Sequence, residues 1–593
     1  MTFQPSASPS RAAWLRLLFG AGLLLPALIP SVAAQQSQPA QATSPASAQP
    51  DFGPQVLILD PADKDAQARV DAVFKQQEAA QFGNGRYAIL LKPGTHRLDL
   101  RVGFATQVGG LGRNPEDVEV KGSVRSTAEW MEHNNATCNF WRGLENLSVT
   151  PTRDHNTLVW AVSQGTYLRR LHVRGKITFS EKGWSSGGFM ADSVIDQAVD
   201  TGTQQQWFTR NSRFKSWGGH GWNMVFVGCP DAGAGSWPKP PYTSIAQAPL
   251  TRERPYLHVD EKGEFRVLVP DLRLEPASGP SWQDNKVGAR SLPLSDFHLA
   301  QPGRDTAATL NRALAAGKHL LFCPGIYELD DSLRVPNDNT LVLGLGYPTL
   351  VPTTGKSALE VDASEGVILA GFMVDAGPNS SATLVRVGIP GRHAGNPRNP
   401  TVLNDVFCRV GGAIVGKAET MLEIHSDHVI GDNLWLWRAD HGAGAKWEIN
   451  TNKTGLRVEG NHVTTYGLMV EHTQEFQTLW NGEDGRCYFY QSELPYDPPS
   501  TAAWSHDGIE GYASYKVGDH VQRHQAWGLG VYAVFFAAPV MTENALEAPD
   551  RPGVQLRHMC TLWLNGKKGS GIRHVLSGKG ESAVHNNRHV TME

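Results

Sequence analysis

Two stretches of this 593-residue chain carry the same local signals in the same order, which makes the chain an internal duplication on the scale of whole domains. In the first, Val70, Val73 and Phe74 have helical spacing, Tyr87-Ala88-Ile89-Leu90-Leu91 reads as a strand, and Lys92-Pro93-Gly94 reads as a turn. In the second, Asp305 is the expected N-cap, Leu310, Ala313 and Leu314 repeat the helical spacing, and His319-Leu320-Leu321-Phe322 leads to Pro324-Gly325. The Pro-Gly pairs lie 231 residues apart (93 to 324), and Leu111-Gly112 and Leu345-Gly346 lie 234 apart (111 to 345). A boundary is expected near 285 to 295.

Inside each half, short β-rich runs return at roughly 20 to 25 residues, a period typical of stacked repeats. Examples are Gly143 to Pro151, Thr166 to Gly175 and Gly188 to Gln197, then Thr401 to Gly412, Asp432 to Gly442 and Thr464 to His472. No helical pattern separates most of them, which disfavours βαβ units. The expected fold is all-β: tandem right-handed parallel β-helices in one chain, the first over 55–288 and the second over 289–593. The opening helix of each would cover the exposed end of its stack. A pair of irregular sandwiches is the alternative, although sandwiches prefer spacings of roughly 8 to 12 residues.

Before the first half, Arg11 and Arg16 precede an apolar run from Leu17 to Ile29, and Val32-Ala33-Ala34 precedes Gln35. This reads as a signal peptide over 1–34, so a secreted or periplasmic protein is expected. The Gln-, Ser-, Pro- and Ala-rich 35–54 reads as a disordered tether. No later run approaches the roughly 18 to 20 apolar residues of a membrane span. The 54 Lys and Arg against 58 Asp and Glu leave a net charge of −4, which excludes the one-sided basic surface of a nucleic-acid binder. A neutral or weakly charged partner is expected, with the chain a monomer. The six cysteines are spread singly, without CxxC spacing, so neither a metal nor a cofactor is expected and no disulfide is assigned.

The densest polar and aromatic stretch runs from Trp435 to Trp504. Glu471 and Glu493 are 22 residues apart in it, close to one coil, and the even interval keeps them on one face. Two carboxylates stacked about 4.8 Å apart repel when both are ionised, so one of the pair keeps its proton towards neutral pH. A general acid for glycoside cleavage needs such a proton. Trp437, Trp480, Tyr488, Tyr490 and Tyr496 are candidate walls of a sugar site or, equally, rungs of an internal aromatic ladder.

The segments Ala439-Asp440-His441, Gly455-Leu456, Tyr466-Gly467, Val470-Glu471-His472, Phe476-Gln477 and Ser492-Glu493-Leu494-Pro495-Tyr496 resemble glycoside hydrolase family 55. Gly188-Phe189-Met190-Ala191-Asp192, Gln205-Gln206 and Thr209-Arg210-Asn211 extend the resemblance to the first half. It implies an inverting, mostly exo-acting β-1,3-glucanase with two β-helices side by side. By position it implies Glu493 as general acid and places the glutamate of the family's Glu-His motif on Glu471, expected to tune that acid. It further implies a polar side chain of the first helix holding the attacking water, for which Gln205 is chosen from the Gln204-Gln205-Gln206 run. Trp437, Asp440, His441, His472, Gln477, Trp480 and Tyr496 become candidate substrate-binding residues.

The match is not complete. Phe476-Gln477-Thr478-Leu479 and Ser492-Glu493-Leu494 depart from the family's Tyr-Gln-Tyr-Gln and Thr-Glu-Thr, so a divergent branch acting on another neutral glucan stays open. A pectate-lyase-type enzyme and a non-catalytic glycan-binding β-helix also stay open, although the first would need a calcium-binding Asp cluster and a basic cleft.

Overall fold

The structure is a computed structural model that describes residues 49–283 and 287–593. The expected signal peptide, most of the tether and residues 284–286 of the expected boundary lie outside the described residues.

Each half opens in the same way. The helix Ala66–Gln77 buries Val70, Val73 and Phe74, and the helix Ala307–Ala315 buries Leu310 and Leu314. Thr306, not Asp305, is the N-cap of the second helix. Its hydroxyl accepts from Thr309 N–H at 3.3 Å, and Thr309 Oγ1 accepts from Thr306 N–H at 2.8 Å. Asp305 instead accepts from the Gln301 N–H at 2.8 Å and pairs with His298. Behind the helices, Val56–Leu59, Tyr87–Leu91 and Thr106–Gly110 pair in parallel, as do Phe297–Ala300, His319–Phe322 and Leu341–Gly344. The turn glycines correspond as well. A Cβ on Gly94 (φ +128°) would lie 2.7 Å from Pro61 Cγ, and one on Gly325 (φ +154°) 2.5 Å from Pro302 Cγ.

From these starts two stacks grow by parallel pairing. The first is a 16-stranded sheet from Val56–Leu59 to Tyr242–Ile245. The second has one 13-stranded and one 10-stranded sheet over residues 297–592. Between them in sequence, Tyr256–Val259, Phe265–Pro270 and Ala289–Pro293 form a small antiparallel sheet. The architecture is a tandem β-helix.

In six successive coils of the second stack the long strand bends at a residue with left-handed backbone: Gly371, Asp405, Asn433, Gly467, Phe489 and Gly528. Each bend shifts the in-and-out alternation by one. In Val429–Arg438, Val429 is interior before Asn433 and Leu434 and Leu436 are interior after it, while Trp435 and Trp437 face the first stack.

Three apolar clusters follow from this alternation. One fills the first stack from Leu59 to Cys229, one fills the second from Ala300 to Val590, and a third, with Phe189, Phe208, Trp435 and Trp437, joins the two. The junction also holds buried charge. Arg169 forks onto Asp405 (2.8 and 2.9 Å) and reaches Asp432 (2.8 Å). Arg210 bridges Asp432 (2.9 Å) and Glu253 (2.6 Å). Every member is hydrogen-bonded, which buried ions require.

Candidate active site between the stacks

Glu471 ends the strand Thr464–Glu471, Glu493 ends Gly485–Glu493, and the two residues are direct partners in the parallel ladder. After the bends at Gly467 and Phe489, residues 469 and 471, like 491 and 493, point towards the first stack. Glu471 is 3% exposed. Its Oε1 accepts from Gln164 Nε2 and from Gln491 Nε2, each at 2.7 Å, and its Oε2 accepts from Trp435 Nε1 at 3.0 Å. Burial pushes its pKa up to about 7, assisted by the nearby Asp440 carboxylate and opposed by the three N–H donors. Glu493 is half-buried and therefore nearer solvent. The Tyr496 hydroxyl donates to its Oε2, and its carbonyl accepts from His472 N–H at 2.8 Å. The pair thus consists of one sealed and one accessible carboxylate.

Facing them, Gln206, Phe208 and Arg210 of the strand Gln206–Arg210 point to the second stack, and Trp207 points inward. Gln206 Nε2 donates to Ser186 Oγ at 3.0 Å, and Gln164 Nε2 lies 3.4 Å from the same oxygen. Gln206, Ser186, Gln164, Glu471 and Gln491 therefore form one polar chain across the junction. Two amide oxygens in it, Gln206 Oε1 and Gln491 Oε1, are buried without a protein partner. Gln205 is half-exposed on the opposite side of the strand, so the residue that enters the network is Gln206. Gln204 is committed elsewhere, accepting from Gly187 N–H at 2.7 Å and donating to the Val162 carbonyl at 3.2 Å. Sequence reasoning flagged the glutamine run but missed Gln164, Ser186, Gln491 and Trp435. Gln164 is 307 positions from Glu471, and only the side-by-side packing of the stacks joins them.

Of the other expected site residues, four lie near the two carboxylates. Tyr496 and His472 adjoin Glu493, with ring centroids 4.4 Å apart and His472 Nδ1 3.2 Å from the Leu494 carbonyl. Burial lowers the His472 pKa. Asp440 and His441 lie beside Glu471's coil, with His441 Nδ1 2.8 Å from Asp440 Oδ1 and His441 Nε2 2.6 Å from the Gln81 amide of the first stack. Burial opposes the imidazolium, but the Asp440 charge and hydrogen bond, with Cys138 adding to them, hold its pKa at about 10. Trp437, 1% exposed, stacks on Trp435 at 5.0 Å and on Phe82 at 6.3 Å, so it is part of the junction core.

Gln477 and Trp480 are corrections. Both are fully buried inside the second stack, where Gln477 Nε2 meets Ser514 Oγ at 3.4 Å and the Trp480 ring lies 4.8 Å from His524. Trp480 belongs to the strand Thr478–Trp480 of the other sheet, and its alternation points it into the coil. Of the two further aromatic candidates, Tyr490 is interior, bonded to the Ser514 carbonyl at 3.0 Å, and Tyr488 stacks between Tyr466 (5.1 Å) and Trp527 (4.9 Å). Among the described residues no cluster of three or more ligand-type side chains fit to hold a metal occurs, and the six cysteines are free.

Stacked carboxylates at the junction of two parallel β-helices fit a carbohydrate-active enzyme of the pectate-lyase-like fold. The model of the LAM55 pectate lyase-like domain matches residues 297–493. The chain is 42% identical over 586 residues to an exo-β-1,3-glucanase of Streptomyces sp. strain SirexAA-E, covering 97% of this chain and 95% of that protein. A solved structure of sacteLam55A from Streptomyces sp. SirexAA-E superposes with a TM-score of 0.88 at 42% identity, over 92% of this chain and 98% of that one. A glutamate-to-alanine variant of the same enzyme in complex with glucose gives the same TM-score, identity and coverage. The chain belongs to glycoside hydrolase family 55, and it is a glycoside hydrolase.

Proposed function

We propose that the chain is an exported hydrolase that cleaves β-1,3-glucan from a chain end with inversion at the anomeric centre. The observation that carries the mechanism is the register pairing of half-buried Glu493 with sealed Glu471. Glu493 is the acid that protonates the departing oxygen, with the Tyr496 hydroxyl fixing its carboxyl; the water sheds a proton to solvent as it bonds to the anomeric carbon, and Glu493 regains one from solvent. Gln206 and Gln491 offer their unpartnered amide oxygens to the attacking water, with Ser186 holding Gln206 and Glu471 holding Gln491. Glu471, as its charge appears, keeps the proton on Glu493. The segments 55–288 and 289–593 act as one catalytic unit, because the polar chain draws Gln164, Ser186 and Gln206 from one and Glu471 and Gln491 from the other. The Arg11, Arg16 and Leu17 to Ile29 pattern supports export, and the identity to a named exo-β-1,3-glucanase supports the substrate and the chain-end action.

A second reading of Glu471 has its own support. Its pKa of about 7 and its link through Gln164 to Ser186 suit a group that takes the proton of the water. Glu471→Gln separates the two roles: a charge tuner, once replaced, moves the alkaline limb of the pH profile, whereas a lost proton acceptor abolishes turnover at every pH.

The substrate is tested by reducing-sugar release from laminarin, pullulan, pustulan and polygalacturonate. Release from laminarin alone supports the proposal, and release from polygalacturonate overturns it. Proton NMR of the first-formed product should show the anomer opposite to that of the bond cleaved.

A further inference from the structure

We propose that Trp222 forms, over Tyr532, a sugar-stacking subsite one coil beyond Glu493. The proposal deepens the reading of a glucan-cleaving groove and rests on it. Tyr532 is the direct ladder partner of Glu493, so the column that begins with Glu471 and Glu493 continues on the same face as an aromatic ring. Opposite, Trp222 donates its backbone N–H to the Gln205 carbonyl at 2.6 Å, and Asn223 pairs with Gln206 in the ladder. Trp222 is therefore fixed to the same strand turn that carries the water-facing glutamine. Its ring meets Tyr532 edge-on, with centroids 5.4 Å apart.

The surroundings suit a neutral pyranose. Tyr532, Cys560 and Leu562 form a small apolar cluster separate from the three cores, with Trp222, Trp237 and Leu564 packed on it. Trp222 and Trp237 are only partly covered, although indole is among the most costly side chains to leave wet. The floor is closed below, because Asn223 Nδ2 bonds the Gly528 carbonyl at 2.9 Å and a Cβ on Gly528 would fall 2.3 Å from Val225 Cγ2. One coil step is about 4.8 Å, close to the length of one sugar residue along a chain. One sugar length from the scissile oxygen at Glu493 ends at the next glycosidic bond, so it is the second leaving-side ring of a longer substrate that meets Trp222.

The test compares wild type, Trp222→Ala and Trp222→Phe on laminari-oligosaccharides of increasing length. Trp222→Ala should lose about tenfold in kcat/KM on the longer oligosaccharides, through KM, with little change on the disaccharide. Trp222→Phe, which keeps an aromatic face, should recover most of the loss, and the melting temperature of each variant separates this from a folding defect. The same fractional loss at every length, or no loss at all, overturns the subsite. If wild type cleaves none of these oligosaccharides, the β-1,3-glucan assignment falls and the subsite falls with it. Cleavage by wild type with an unchanged length dependence in Trp222→Ala removes only the subsite.

Discussion

Replacing Glu471 with Gln removes a titrating group from a fully buried position while nearly preserving its shape. In the folded protein the Glu471 carboxyl titrates at about 7, against an ordinary 4.5. The folded state therefore holds this proton more tightly than the unfolded chain. The stabilising contribution of the neutral carboxyl is fully present below about pH 4.5 and is lost as the pH rises through about 7. The difference corresponds to about 3 kcal/mol. Glu471→Gln does not titrate, so its stability relative to wild type should improve by about 3 kcal/mol between about pH 4 and pH 8. Urea unfolding at a series of pH values measures it. A difference between the two proteins that stays constant over this range refutes the burial argument. In kinetics, the charge on Glu471 appears only as the pH rises towards and past 7, and there it opposes loss of the proton from Glu493. In the variant the alkaline limb of kcat/KM should move to lower pH, with activity at the acidic side largely retained.

Two other expectations concern the junction. Asp432→Asn removes the carboxylate shared by Arg169 and Arg210 and should destabilise the fold by about 3 to 5 kcal/mol, read by chemical unfolding; a loss below about 1 kcal/mol would mean that the buried arginines find other partners. Gln206→Ala should lower kcat on the order of 10²-fold and Gln205→Ala should not, because only Gln206 enters the polar chain; equal losses would return the water-holding role to the neighbour.

The duplicated architecture was legible in the sequence because its signals are local. Pro93-Gly94 and Pro324-Gly325 mark the same turn packed on the same kind of proline, Pro61 and Pro302. The stacking of Glu471 on Glu493 was legible for the same reason, since their interval is one coil and their parity is even. What spacing hides is which face a residue takes after a bend. Asn433, Gly467 and Phe489 each shift the alternation, and Phe489 carries no sequence mark of a left-handed backbone. Trp480 was misassigned because it lies in the other sheet, and Gln477 because it leads into that strand; a linear reading cannot separate their inward positions from those facing the first stack. The Gln164 contact with Glu471 depends on how the two stacks pack together, and no periodicity within either half encodes it.

The most direct test of the account is the turnover of Glu493→Gln on two substrates. One is laminarin, whose leaving sugar needs a proton, and the other is an activated aryl β-glucoside, whose leaving group does not. Loss of the acid should lower kcat on laminarin on the order of 10² to 10⁴-fold while the activated substrate is affected far less. Near-normal turnover of laminarin by Glu493→Gln would contradict the assignment of Glu493 as the acid.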